Sequence, residues 1–325
     1  MSPHFIAYSE AFHDVTGPDP RFFTLVETNA HEGPVYVRDE NALYFTTVPQ
    51  DVDVPLPGFQ RVDIKRVSLA GETFPLPAEA VTTVRANANM ANGMTLDLES
   101  NLVVCEQGSR TEPARIARMS RQGGAVTTLV DQWRGLRFNS PNDVVVKSDG
   151  TVWFTDPGYG ALQGFKDAPL LGDFVYRYDP RSGMLSVVAD GFDKPNGLAF
   201  SPDESVLYVT DSGAIQGPGS YVVDRPHHIR AFDVRDGRHL ANERLFAVVA
   251  PGIPDGIKLD TAGRVYSSSA SGIQVFEPCG DLIGEIVAPG VANFCFGGQE
   301  NDTLFILADT IIWAARIQAV GAARS

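Results

Sequence analysis

Cysteine is scarce in this chain of 325 residues: there are three, Cys105, Cys279 and Cys295. An odd count without metal-ligand spacing excludes a disulfide framework and a structural zinc site. Cys105 and Cys295 fall in strand patterns and are expected to be buried and reduced. No run approaches the roughly 18 apolar residues of a membrane-crossing helix, so no membrane partner is expected. Met1 to Gly17 lack a basic start followed by an apolar core, which argues against a secretory leader. Basic residues are outnumbered, with 26 Lys and Arg against 40 Asp and Glu, a formal net charge of -14. Such a surface repels nucleic acid, and no basic cluster offsets it. A cation is a more compatible ligand. No low-complexity segment or block of like charge stands out. These absences suggest a cytoplasmic protein.

What the chain does contain is one sentence, repeated. From Lys194 to Gly213 it reads as a β-hairpin: an apolar strand after Asn196, turn chemistry at Ser201-Pro202-Asp203-Glu204, then Val206 to Thr210, rich in β-branched and aromatic residues. Pro141-Asn142-Asp143 opens a second copy that ends at Thr155-Asp156. Pro254-Asp255-Gly256 opens a third and Asn92-Gly93-Met94 a fourth, the latter ending at Cys105-Glu106. Weaker copies begin at Glu32-Gly33-Pro34 and Asn293-Phe294. The six lead positions, 32, 92, 142, 196, 255 and 293, are 38 to 60 residues apart. Strand repeats of about that period, without helices, predict propeller blades. One hairpin cannot bury its own apolar face, so the copies must stack around an axis. The expected fold is therefore all-β, a six-bladed β-propeller, with residues 1–325 as one domain. Residues 1–30 form a lead-in. Phe22 to Val26 is expected to pair near Ile311-Ile312-Trp313, because ring closure removes sheet edges. The proline-rich stretch Pro49 to Pro57 should be a rim loop. The long glycine-rich connection from Asp156 to Gly172 is able to cover a pocket.

Equivalent positions in a ring lie at one height around one axis. Four lead residues, Glu32, Asn142, Asn196 and Asp255, bring two carboxylates and two amides to that height. The set suits one hard divalent cation, Ca²⁺ before Mg²⁺, Mn²⁺ or Zn²⁺, since softer metals would recruit Cys or His. Each of these residues taken singly is also an ordinary turn former, except Glu32. The second strand of a hairpin ends beside the start of the first, so Glu106, Asp156 and Asp211 belong at the same rim. Three roles are open to them: supporting the lead residues from behind, meeting substrate hydroxyls, or capping their own turns. His31, next to Glu32 in an extended strand, is expected to face away from the axis.

Four motifs carry a resemblance: Glu32-Gly33-Pro34, Ser140-Pro141-Asn142-Asp143, Pro195-Asn196-Gly197 with Thr210-Asp211-Ser212, and Pro254-Asp255-Gly256. Together the chain resembles the SMP-30/gluconolactonase/LRE-like family of six-bladed propellers with one axial metal. The resemblance implies that Glu32, Asn196 and Asp255 hold the metal, that Asn142 contacts metal, substrate or both, and that Asp255 is the acid/base group. It implies a small-molecule lactone as substrate, a sugar aldonolactone such as gluconolactone. The metal would polarise the carbonyl and Asp255 would serve as general base or, alternatively, as nucleophile. Tyr159 and Arg137 are candidate substrate contacts. A phosphotriesterase or other ester hydrolase on the same metal, and a non-catalytic binding propeller, are the competing functions. Two departures bear on substrate. Gln107 stands where relatives often carry His, and Gly158 where Pro is usual.

Overall fold

A computed structural model describes residues 3–51, 60–70 and 73–322. Among the described residues its strands form six antiparallel blade sheets and two short two-stranded ribbons; blades 1–4 are ordered by chain position from the axis outward. Blade 1 comprises Glu32–Val37, Ala42–Thr46, Ile64–Ser68 and Val81–Arg85; blade 2 comprises Ala91–Leu96, Leu102–Glu106, Arg115–Met119 and Val126–Val130. Blade 3 runs through Val144–Val146, Val152–Asp156, Phe174–Asp179 and Met184–Ala189, and blade 4 through Pro195–Phe200, Val206–Asp211, His228–Arg235 and His239–Val248. Blade 5 holds Ile257–Leu259, Val265–Ser268, Gly272–Phe276 and Leu282–Val287. In blade 6, Asn293–Gly297, Thr303–Leu307 and Asp309–Arg316 come from the end of the chain, and the outermost strand, Arg21–Ala30, comes from its beginning.

That closure follows the expected register, with Thr24 opposite Trp313 and Val26 opposite Ile312. The innermost strands of neighbouring blades contact one another in an unbroken circuit, so the six-bladed propeller is a closed ring. Of the stretch from Pro49 to Pro57, Gln50–Asp51 pairs with Gln60–Arg61 as a short ribbon; positions 52–57 lie outside the described residues.

Second strands show why the repeat reads as apolar runs rather than alternation. A strand between two neighbouring blades has no solvent face, so both sets of side chains must be apolar. Leu102 and Val104 enter the core shared with blade 1, beside Val35 and Tyr44. Val103 and Cys105 enter the core shared with blade 3, beside Val144 and Phe154. Trp153 turns the other way from Phe154, into the core with Leu198 and Leu207 of blade 4. Each such side chain, fully buried, stabilises the ring by about 1.5–3 kcal/mol.

Phe5–Ala7 adds a fifth strand outside blade 5, paired with Leu282–Val287. Gly284 leaves room there for the ring of Phe12, which is fully buried on the sheet.

Candidate functional site

Each lead residue stands at or just before the start of an innermost strand. Two devices hold these positions in place. The first is a threonine in the second strand of the preceding blade. The Thr46 hydroxyl donates to the Asn92 carbonyl at 3.1 Å, Thr155 to the Asn196 carbonyl at 2.7 Å, and Thr210 to the Asp255 carbonyl at 3.1 Å. The second is glycine after the lead residue. A Cβ on Gly33 would stand 2.5 Å from the Asn92 carbonyl oxygen, and one on Gly93 2.5 Å from that of Asn142. Only glycine lets adjacent innermost strands come this close, and the approach converges the lead side chains on the axis.

Glu32 and Asn196 are buried, at 3% and 4% exposure, as is Asn142 at 6%. Asp255 is partly exposed and thus reachable from the mouth. Glu32 Oε2 accepts from Asn293 Nδ2 at 2.8 Å and from the Gly33 amide at 3.2 Å. Burial pushes the Glu32 carboxyl up, with Asp143 adding to the effect and His31 opposing it. Burial and then the charge of Glu32 push the Asp255 carboxyl well above the ordinary range. Asn196 Nδ2 donates to the Tyr159 hydroxyl at 3.2 Å and to Ser212 Oγ at 3.1 Å. Asn142 Oδ1 and Asn92 Oδ1 are buried and accept no hydrogen bond.

This donor set fits a hard divalent cation. A buried amide oxygen without a partner is costly, as is a carboxylate that raises its neighbour; a cation bound here would relieve both. Among the described residues no three His, Cys, Asp or Glu side chains group as metal ligands. The candidate set therefore depends on amide oxygens, the ligands of hard ions.

The model of the SMP-30/Gluconolactonase/LRE-like region matches residues 30–310. The chain belongs to this family. It is 32% identical over 300 residues to a gluconolactonase of Zymomonas mobilis, covering 89% of this chain and 79% of that protein. To a lactonohydrolase of Aspergillus oryzae it is 29% identical over 314 residues, covering 90% and 69%. The solved structure of a gluconolactonase from Xanthomonas campestris superposes with a TM-score of 0.77 at 34% identity, covering 96% of this chain and 94% of that one.

Within the family frame, the rim acids take the local role. Asp156 accepts from the amides of Asn139 at 2.9 Å and Ser140 at 2.7 Å. Asp211 accepts from those of Asp193 at 3.1 Å and Lys194 at 2.8 Å. In both blades the acid ties down the residues three and two before the lead position. Glu106 receives Arg85 Nη1 at 2.6 Å, Arg115 Nε at 2.7 Å and Asn89 Nδ2 at 2.9 Å, the last again three before a lead residue. All three acids are buried, at 0–1% exposure. Their oxygens are engaged in shaping the loops that present Asn92, Asn142 and Asn196.

Tyr159 does reach the site, through Asn196. Burial and the nearby Asp255 push its phenol far up, so it stays protonated. Arg137 does not join it. It is exposed on the ribbon Gln132–Trp133/Leu136–Arg137 and lines a cavity of about 200 Å³ that no lead residue borders. His31 turns to Asp309 of blade 6. It sits between two strands rather than within one, and Nδ1 pairs with Asp309 Oδ1 at 2.7 Å. Burial opposes its charge, but the bond to Asp309 and the charges of Glu32 and Asp255 outweigh that and raise it to about 9.

Sequence reasoning missed the threonine supports, Ser212 as a partner of Asn196, and Asn293 as a partner of Glu32. The repeated Thr-Asp pair, Thr155-Asp156 and Thr210-Asp211, was the available signal for the first of these.

Proposed function

We propose that this chain is a lactonase, the ring acting as one domain, and that it opens a sugar aldonolactone. The observation that supports the reading is the set of lead residues: buried Glu32 and Asn142, the latter with an orphaned amide oxygen, together with Asp255, whose carboxyl is raised by burial and then by the charge of Glu32. The named relatives, a gluconolactonase and a lactonohydrolase, support it.

Glu32, Asn142, Asn196 and Asp255 would hold one divalent cation, Ca²⁺ by its preference for hard oxygens. Bound there, it supplies Lewis-acid polarisation of the lactone carbonyl. Glu32 is fixed by Asn293 and the Gly33 amide and serves as a static ligand. Asp255 takes a proton from the attacking water as the new C–O bond forms. It returns that proton to the ring oxygen as the ring C–O bond breaks, which yields the open hydroxy acid. A carboxyl raised above its usual range is a better proton acceptor in this exchange than an ordinary one. The protonated Tyr159 hydroxyl, held by Asn196, offers a hydrogen bond to a substrate hydroxyl. Three unpaired cysteines suit a reducing compartment, the cytoplasm.

A pH-indicator assay across aldonolactones, aryl esters and organophosphates tests the reading. Acid release from aldonolactones above all others supports it; hydrolysis confined to aryl esters or organophosphates contradicts it.

A further inference from the structure

The connection between the second and third strands of blade 3 is a strap anchored at several points. Its short helix, Tyr159–Leu162, turns Tyr159 inward to the Asn196 amide. Beyond the helix, Phe165 is buried in the core that blades 1 and 2 share, beside Val62, Ala88 and Met90. The strap thus leaves blade 3, touches a ligand of blade 4 and returns to the seam between blades 1 and 2.

Lys166 is the second anchor. Its Nζ donates to three main-chain carbonyls: Gln107 at 2.8 Å, Phe138 at 3.1 Å, and Asn139. Gln107 follows the second strand of blade 2, and Phe138 and Asn139 lead into blade 3. The third anchor is Ser140, whose Oγ accepts the Gly160 amide at 2.8 Å. Gly160 is pressed into this corner. An added Cβ would stand 2.5 Å from Ser140 Oγ and 2.6 Å from Lys166 Cδ. The Lys166 amide itself donates to the Gly160 carbonyl at 3.0 Å, so the backbone beside Tyr159 and the latch are directly bonded.

We infer that Lys166 is a positioning residue of the active site: by clamping three carbonyls of blades 2 and 3 it holds the strap down and fixes the Tyr159 hydroxyl against Asn196. Burial holds the Lys166 amine down at about 8, with Asp156 opposing and Arg137 assisting that shift. An ammonium kept in so unfavourable a setting has all three protons in use, which is the arrangement of a structural clamp. Its ammonium bonds main-chain carbonyls and no lead side chain, and it acts through Tyr159.

The inference rests on the lactonase reading, and its test separates the two. The proteins compared are wild type, Lys166→Met, Lys166→Arg, Tyr159→Phe and the Lys166→Met/Tyr159→Phe double variant. Lactone turnover is measured beside amide hydrogen exchange across residues 157–172. Lys166→Met is expected to speed exchange in that segment alone and to lower kcat/KM by roughly ten- to hundredfold. Lys166→Arg, which keeps several donors, is expected to recover part of both. The double variant is expected to be no slower than the worse single variant, because both changes remove the same contact. Unaltered exchange in Lys166→Met, or additive losses in the double variant, overturns the inference. Wild type without lactone turnover overturns the lactonase reading instead, and the exchange data still decide whether the latch exists.

Discussion

The carboxylate of Glu32, in blade 1, pushes the carboxyl of Asp255, in blade 5, well above the ordinary carboxylate range, second only to burial as a cause. Two acids so far apart in the chain meet only because six innermost strands converge on one axis. Their repulsion gives the site two properties at once. It makes a cation welcome, and it makes the Asp255 carboxyl readier to take up a proton than an ordinary carboxylate.

Asp255→Asn is therefore expected to lower turnover by about 10²–10⁴, while the fold is kept and calcium is still bound, more weakly. Glu32→Gln is expected to weaken calcium binding directly. Steady-state rates and titration calorimetry check the pair. Wild-type turnover in the first variant, or wild-type calcium affinity in the second, contradicts the roles assigned here.

Gly197 holds the approach between blades 4 and 5: an added Cβ there collides with the Asp255 carbonyl oxygen. Gly197→Ala is expected to destabilise the protein by about 1–3 kcal/mol and to reduce turnover by shifting Asp255. Gly217→Ala, where nothing lies within 4 Å of the new Cβ, is the control and is expected within about 0.5 kcal/mol of wild type. Urea unfolding of both variants checks the contrast.

Glu106 separates a structural acid from a substrate-binding one. Glu106→Gln weakens its contacts with Arg85 and Arg115, which are 18% and 23% exposed. Partial solvation of both guanidiniums softens the loss, so about 1–3 kcal/mol of stability is expected to go, with KM unchanged. A raised KM in a variant of wild-type stability would return Glu106 to the substrate.

The pair of His31 and Asp309 sets a pH dependence in chelated protein. The His31 pKa is about 9 in the fold against 6.5 as the ordinary value. Between those limits the native state binds more protons than the unfolded one, so stability falls as pH rises. Below about 6.5 the contribution is complete. Melting temperatures across this window are expected to decline in wild type and to decline less in Asp309→Asn; identical slopes contradict the assignment.

Much of this architecture was legible in the sequence because the repeat is local. Turn residues and apolar runs mark each hairpin, and the pairing of Phe22 to Val26 with the last blade follows from closure alone. Phe5–Ala7 was not legible, since three residues are too few for periodicity to register. The rim acids were ambiguous for a physical reason: an Asp near a turn suits both its own backbone amides and a ligand, and only coordinates show which oxygens are free. The partner of His31 was not legible because alternation holds only within a strand, and the chain breaks between Arg21–Ala30 and Glu32–Val37 just where His31 stands. Contacts such as Thr210 with the Asp255 carbonyl join different blades and have no signature in either segment alone.

The most direct test is the initial rate of aldonolactone hydrolysis, above the spontaneous background, as free Ca²⁺ is restored to chelated protein. The account predicts no enzymatic rate in excess chelator and a saturable return as calcium is added. A full rate in excess chelator would contradict it.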